Sequence, residues 1–238
     1  MFRWLNKNRE AALADQDIVP VIAIDGPSGS GKGTISRRVA RALGYHLLDS
    51  GALYRLVALA AEDACSSLQN TECLQDLARE LDVRFDVSDA GEERVWLAGQ
   101  DVTERLRTEE TGAGASIVAQ IPAVREALLD RQKEFRRPPG LVADGRDMGS
   151  QVFPDATLKI YLTASAEERA KRRYKQLKDK GLDVSLAALS RDIENRDRRD
   201  SERTLAPLKP AMDARLLDTT GRSIEAVTKT VLEWVAEL

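Results

Sequence analysis

Four glycines fall within eight residues at Gly26, Gly29, Gly31 and Gly33, and Lys32 stands among them. Glycine lets backbone N–H groups turn toward a polyanion with no Cβ in the way. A lysine at the end of such a loop supplies a mobile positive charge for the β- and γ-phosphates of a nucleotide. Gly26, Gly31 and Lys32 satisfy the spacing G-x-x-x-x-G-K. Together Gly26, Pro27, Ser28, Gly29, Ser30, Gly31, Lys32, Gly33 and Thr34 make the expected phosphate cradle. The residue after the lysine is Gly33, so the hydroxyl best placed for a metal shell comes one step later, at Thr34. A glycine-rich turn between two core elements is the plainer reading, but such a turn needs neither four glycines nor a lysine at this place.

A cradle of this kind needs a strand before it and a helix after it. The apolar run over 18–24, broken only by Pro20, reads as a short buried strand that ends at Asp25. Ile35, Val39 and Leu43 then recur every fourth residue, which predicts a helix ending near Leu43 with Gly44 as its left-handed stop. The helix N-terminus adds free N–H donors and the positive end of its dipole. The GKGT ending is similar to that of nucleoside monophosphate kinases rather than GTPases or motor ATPases.

The bulk composition narrows the remaining choices. At 238 residues and 42% hydrophobic content the chain can bury one large core with an insertion. A net charge of −3 gives no global attraction to nucleic acid or to an anionic membrane. No stretch approaches the roughly 18 apolar residues of a membrane span, and residues 1–17 lack the apolar core of a signal peptide. The expected compartment is the cytoplasm. Residues 1–17 form a tail without an assigned role. Cys65 and Cys73, eight apart with no His or Cys cluster, are expected to be free thiols.

Further along, 45–48 predicts a second buried strand, in which the single histidine, His46, has a packed structural role. Residues 52–64 have helical composition. The region 66–111 departs from this pattern. Residues 83–87 alternate strictly, 94–97 alternate again after a turn at Asp89-Ala90-Gly91, and a third extended piece ends at Val102. That is a hairpin-like insertion. Residues 109–137 return to helix, with Val118, Ile121, Val124 and Leu128 at helical spacing. Strands follow at 140–143, 157–162 and 214–217, and an amphipathic helix closes the chain. Ser165 with Glu168 makes a capping box. Five short apolar strands alternating with helices predict an α/β fold with a parallel sheet covered on both faces.

Four separated stretches now agree: GPSGSGKGT at 26–34, LLDSGALYR at 47–55, ADGRDMG at 143–149 and RDRRDSERTLAPL at 196–208. Together they resemble the bacterial cytidylate kinases, a branch of the P-loop nucleoside monophosphate kinases, over about residue 19 to the C-terminus. The resemblance implies a five-stranded parallel core, an NMP-binding insertion over about 66–125 and a lid over about 169–203. It implies transfer of the γ-phosphoryl group of ATP to CMP or dCMP with Mg²⁺, which Thr34 would help to hold. It places Arg55, Arg146 and Arg203 at the acceptor phosphate, where guanidinium forks suit phosphate oxygens. It places Ser50, Ser116, Arg125 and Asp147 around the cytosine, and Arg196 and Asp200 at the ribose. Lys32, Arg146, Arg203 and Arg172 are the expected catalytic contacts. Arg172 stands with Arg169 and Arg173 in a helix that holds seven Lys/Arg in the twelve residues 169–180.

Two plainer readings compete. The residues Arg196, Asp197, Arg199, Asp200 and Arg203 could form a surface ion-pair lattice, and 169–180 could be a solvated basic helix. Other function classes are weaker. A P-loop kinase for UMP, AMP or a small alcohol would be told apart by an acceptor panel. A nucleotide-dependent switch would need a base-reading N-K-x-D, which the sequence lacks. A nucleic-acid binder sits poorly with the net charge. The expected partners are therefore small molecules, acting on a monomer.

Overall fold

The computed structural model describes residues 19–65, 67–87, 93–179 and 181–238. The tail 1–17 and the turn at Asp89-Ala90-Gly91 lie outside the described residues. In chain order the strands are β1 (Val21–Asp25), β2 (His46–Asp49), β3 (Val83–Val87), β4 (Glu93–Leu97), β5 (Gln100–Asp101), β6 (Leu141–Gly145), β7 (Leu158–Thr163) and β8 (Arg215–Asp218). The helices are α1 (Lys32–Leu43), α2 (Ser50–Ala64), α3 (Thr71–Arg79), α4 (Glu109–Val118), α5 (Pro122–Lys133), α6 (Ala166–Asp179), α7 (Leu186–Glu202) and α8 (Ile224–Ala236).

The five predicted core strands form one sheet in the order β2-β6-β1-β7-β8, and every neighbouring pair is parallel. β1 lies at the centre, and its side chains alternate between two apolar layers. Val21 and Ala23 face a layer with Leu53, Leu56, Val124 and Leu128 from α2 and α5. Ile22 and Ile24 face Ile35 and Val39 of α1 together with Val227 and Val231 of α8. Both faces of the sheet are thus covered, as a parallel sheet requires. Parallel pairing also brings the strand C-termini, and the loops after them, to one edge.

Local signals set the element ends. Gly44 adopts φ 66° at the end of α1. Ser165 Oγ accepts from Glu168 N at 3.2 Å before α6. The single helical stretch expected over 109–137 is two helices, because Pro122 fixes a new first turn at α5 and Ile121 becomes its N-cap. The insertion holds an antiparallel sheet β3-β4-β5, as expected, and also α3, which the alternation of its neighbours hid. Asn70 caps α3 by accepting from Cys73 N at 3.3 Å.

Three further expectations fail. β2 is an edge strand rather than a buried one. His46 is exposed, and its Nε2 lies 2.9 Å from the Pro138 carbonyl oxygen. Cys65 and Cys73 are joined in a disulfide with Cα atoms 6.1 Å apart, so they are not free thiols. The turn between α2 and α3 folds the end of one helix onto the start of the next, a proximity that eight-residue spacing alone does not reveal.

Candidate active site

The loop after β1 wraps tightly. Gly26 has φ 153°, and a Cβ there would lie 2.1 Å from the Leu162 carbonyl oxygen. Gly31 caps α1 at φ 91°, and its carbonyl accepts from Thr34 N and Ile35 N at 3.1 Å each. Lys32 is buried, and its Nζ donates to the Pro27 carbonyl at 3.1 Å. Gly33, the departure from the common pattern, now has a physical reason: a Cβ would sit 3.2 Å from Asp144 Oδ2. A side chain there would have to push the carboxylate at the end of β6 aside by a few tenths of an ångström. Ser28 to Ile35 line a cavity of about 810 Å³, which Arg55, Arg172 and Arg196 also border.

Asp144 was not singled out by sequence reasoning, although a carboxylate ending a core strand beside the loop was a usable signal. It is buried, and that burial raises its pKa, opposed by Lys32. Burial lowers Lys32, and the charge of Arg146 lowers it further, against the pull of Asp144. An ammonium held this way gains strongly from a polyanion placed in the loop.

Of the residues expected around a base, Arg125 and Asp147 meet directly. Arg125 pairs with Asp147 across 22 residues, with side-chain exposures of 12% and 5%. Its guanidinium also donates to the Ala119 carbonyl at 3.3 Å and lies 5.7 Å from the centre of the Tyr54 ring. Tyr54 itself went unnoticed as a site residue. Ser50 and Ser116 are buried, and Ser116 Oγ has no hydrogen-bond partner. Gly145 makes room here, since a Cβ would meet Ser50 Oγ at 2.7 Å.

Between the two regions stands a cluster of arginines. Arg146 Nε donates to Asp200 Oδ2 at 3.0 Å. Burial works against the charge of Arg146, yet that carboxylate holds it above its ordinary range. Arg196 is pushed down to about 10, by burial first and by Arg146 second. Arg196 Nε and Arg203 Nη2 are buried without a partner. Arg55 donates to the Leu106 and Thr108 carbonyls at 2.8 and 3.0 Å, and burial lowers it too. The ion-pair lattice reading of 196–203 therefore fails for its inward face: Asp200 and Arg203 are buried.

The basic helix divides its arginines by role. Arg169 is 4% exposed. It donates to the Ser28 carbonyl at 3.0 Å and grips Asp197 of α7 with two donors, at 2.9 and 2.5 Å. It therefore braces the loop rather than facing the cavity. Arg172 donates to Glu168, to Thr219 Oγ1 and to the Thr219 carbonyl, and borders the cavity beside Gly31. Arg173 reaches Glu109 at the start of α4. A cleft of about 2030 Å³ opens between this helix and the insertion, bordered by Arg55, Phe85, Arg105, Glu109, Arg173 and Leu182.

A glycine loop on a central parallel strand, a buried lysine at its end and a ring of inward arginines define a P-loop phosphotransferase. The cytidylate kinase family matches residues 22–237 of this chain. Cytidylate kinase of Pseudomonas aeruginosa strain UCBPP-PA14 is 61% identical over 215 residues, covering 90% of this chain and 94% of the relative. That of Pseudomonas putida strain KT2440 is 58% identical over 221 residues, covering 92% and 97%. Shikimate kinase from Acinetobacter baumannii aligns over 92% of this chain and 94% of its own at TM-score 0.46 and 14% identity, too loosely to add to the fold assignment. The chain belongs to the cytidylate kinase family. It is an ATP-dependent nucleoside monophosphate kinase that transfers the γ-phosphoryl group of ATP to CMP or dCMP, giving ADP and CDP or dCDP.

Proposed function

We propose the following division of labour for that reaction. Gly26–Thr34 cradle the ATP phosphates with backbone N–H groups, and Lys32 contacts the transferring phosphoryl group. Arg55, Arg146 and Arg203 hold the acceptor phosphate. Ser50, Ser116, Arg125 and Asp147 read the cytosine, while Arg196 and Asp200 take the ribose. Arg172, on the donor side, neutralises charge that develops on the phosphates. The insertion over about 66–125 and the lid over about 169–203 close on the two nucleotides and exclude water. The protein acts as a cytoplasmic monomer.

The observation that carries this reading is that donors on residues assigned to the acceptor nucleotide are buried without partners. Arg196 Nε, Arg203 Nη2 and Ser116 Oγ are all orphaned, and buried polar groups are seldom left so. A nucleotide satisfies them. Loose phosphoryl-transfer transition states ask for alignment and charge neutralisation more than for covalent chemistry, and that is what a cluster of guanidiniums supplies.

The residues also fit Mg²⁺. Among the described residues no cluster of three His, Cys, Asp or Glu could cage an ion. Mg²⁺ commonly takes one or two protein oxygens and completes its shell with phosphates and water. Thr34, one residue past Gly33, and Asp144, whose Oδ2 lies against Gly33, would provide such a pair. When bound, the ion would neutralise charge on the phosphates, held by Thr34 and Asp144. The chain's part is to orient the hydroxyl and keep the carboxylate close.

A coupled ADP-release assay across CMP, dCMP, UMP, AMP and GMP, with and without EDTA, tests the reading. Turnover confined to CMP and dCMP and abolished by EDTA is expected. Equal turnover of UMP or AMP would remove the base assignments.

A further inference from the structure

The buried carboxylate that this division of labour leaves unused is Asp25. It ends β1, one residue before the phosphate loop, yet its side chain serves another loop. Oδ1 accepts from Met148 N and Oδ2 from Gly149 N, both at 2.8 Å and both buried. These N–H groups open the short π-helical turn over Met148–Val152, directly after Arg146 and Asp147. Among the described residues the backbone bonds of this turn run from Gln151, Val152 and Phe153 back to Asp147 and Met148. The first two N–H groups of the turn are left to Asp25.

We infer that Asp25 is a positioning residue which fixes the Arg146–Asp147 turn against the root of the phosphate loop, so that donor and acceptor sites keep one register. The inference rests on the site reading above. β1 and β6 pair in parallel with Asp25 opposite Gly145, so the two loops leave the sheet side by side. Backbone pairing ends there. Past that point the carboxylate bonds carry the connection. Arg146 then aims Nε at Asp200, and Asp147 meets Arg125. A shift at Met148 would reach both. Burial pushes the Asp25 carboxyl up to about 6, with the Met148 and Gly149 bonds opposing. A carboxylate at neutral pH thus keeps both oxygens as acceptors. A purely structural reason for the residue would be met by capping the turn, with no consequence for which site suffers.

Asp25→Asn keeps the shape but turns one acceptor into a donor facing an N–H. The expected result is a rise of about tenfold or more in KM for CMP, with a narrowed CMP/UMP ratio, because small misplacements of positioning groups cost this much. KM for ATP should stay within about twofold, because the cradle's own N–H groups are untouched. A lowered melting temperature with both KM values and the CMP/UMP ratio unchanged would make Asp25 a structural cap and overturn the inference. An equal rise in both KM values would overturn it as well. Asp25→Ser, smaller and able to accept once, is the second variant if the asparagine protein does not fold. Failure of both to fold assigns Asp25 to the core and also overturns it. Wild-type protein that discriminates no acceptor would instead refute the site reading itself, so the two failures are distinct.

Discussion

Arg125→Met tests base reading, and its consequences can be worked through. The arginine performs two tasks at once. It pairs with the buried Asp147, and in the proposed site it would also offer donors to the base. Removing one partner of a buried pair strands the other, at roughly 3–5 kcal/mol. For a domain of this size that is a melting shift of about 6–20 °C. The base effect is separate. Cytosine presents an amine donor beside the N3 acceptor, whereas uracil presents a carbonyl beside an N–H. A site with an arginine donor and carboxylate or hydroxyl acceptors satisfies the first and mismatches the second at two points. Each unpaired buried group costs about 1–3 kcal/mol, so wild type should prefer CMP over UMP by on the order of a hundredfold or more. Arg125→Met should raise KM for CMP, narrow that preference and leave KM for ATP nearly unchanged. Arg125→Met with Asp147→Asn should recover more than half of the melting temperature while the CMP/UMP preference stays low. Steady-state kinetics with both acceptors and thermal unfolding of the three proteins decide the matter. A folded Arg125→Met protein with an unaltered CMP/UMP ratio refutes the assignment.

Lys32→Ala should fold and should lose turnover by roughly 3–4 kcal/mol, or about two to three powers of ten, since preorganised contacts to developing charge are worth that much. Near-normal turnover in a folded protein would end the P-loop assignment. ATP and CMP added together should slow amide exchange in 169–181 and 66–111, and either ligand alone should do less. Protection limited to the phosphate loop would show that these segments do not close.

Much of this arrangement was legible in the sequence because it depends on period and on short-range chemistry. The five core strands, the glycine loop and the stop at Gly44 follow from runs and spacings that act over a few residues. The resemblance carried Arg146, Asp147 and Arg203, whose convergence no local rule could supply. What stayed hidden depends on contacts between distant segments. Arg169 looked like one more cation in a basic helix, yet it is committed to Ser28 and Asp197. Asp25 read as the end of a strand because its partners lie more than a hundred residues away. The disulfide escaped for the same reason in reverse. A short separation gives no sign of whether the intervening turn brings the two sulfurs together.

Arg169 has a mechanical consequence. Its guanidinium pins the first turn of α6 to the tip of the phosphate loop and to α7, so the helix has a fulcrum near its start. With a rise of about 1.5 Å per residue, Arg173 lies only about 6 Å along that lever and Asp179 about 15 Å. A tilt of roughly 20° about the pin would carry the far end through about 5 Å while Arg173 moves about 2 Å. A travel of about 2 Å is enough to exchange one hydrogen-bond partner for another. Arg173, now held by Glu109, sits at the radius where such a sweep of the helix end would be geared down to the step of a single contact.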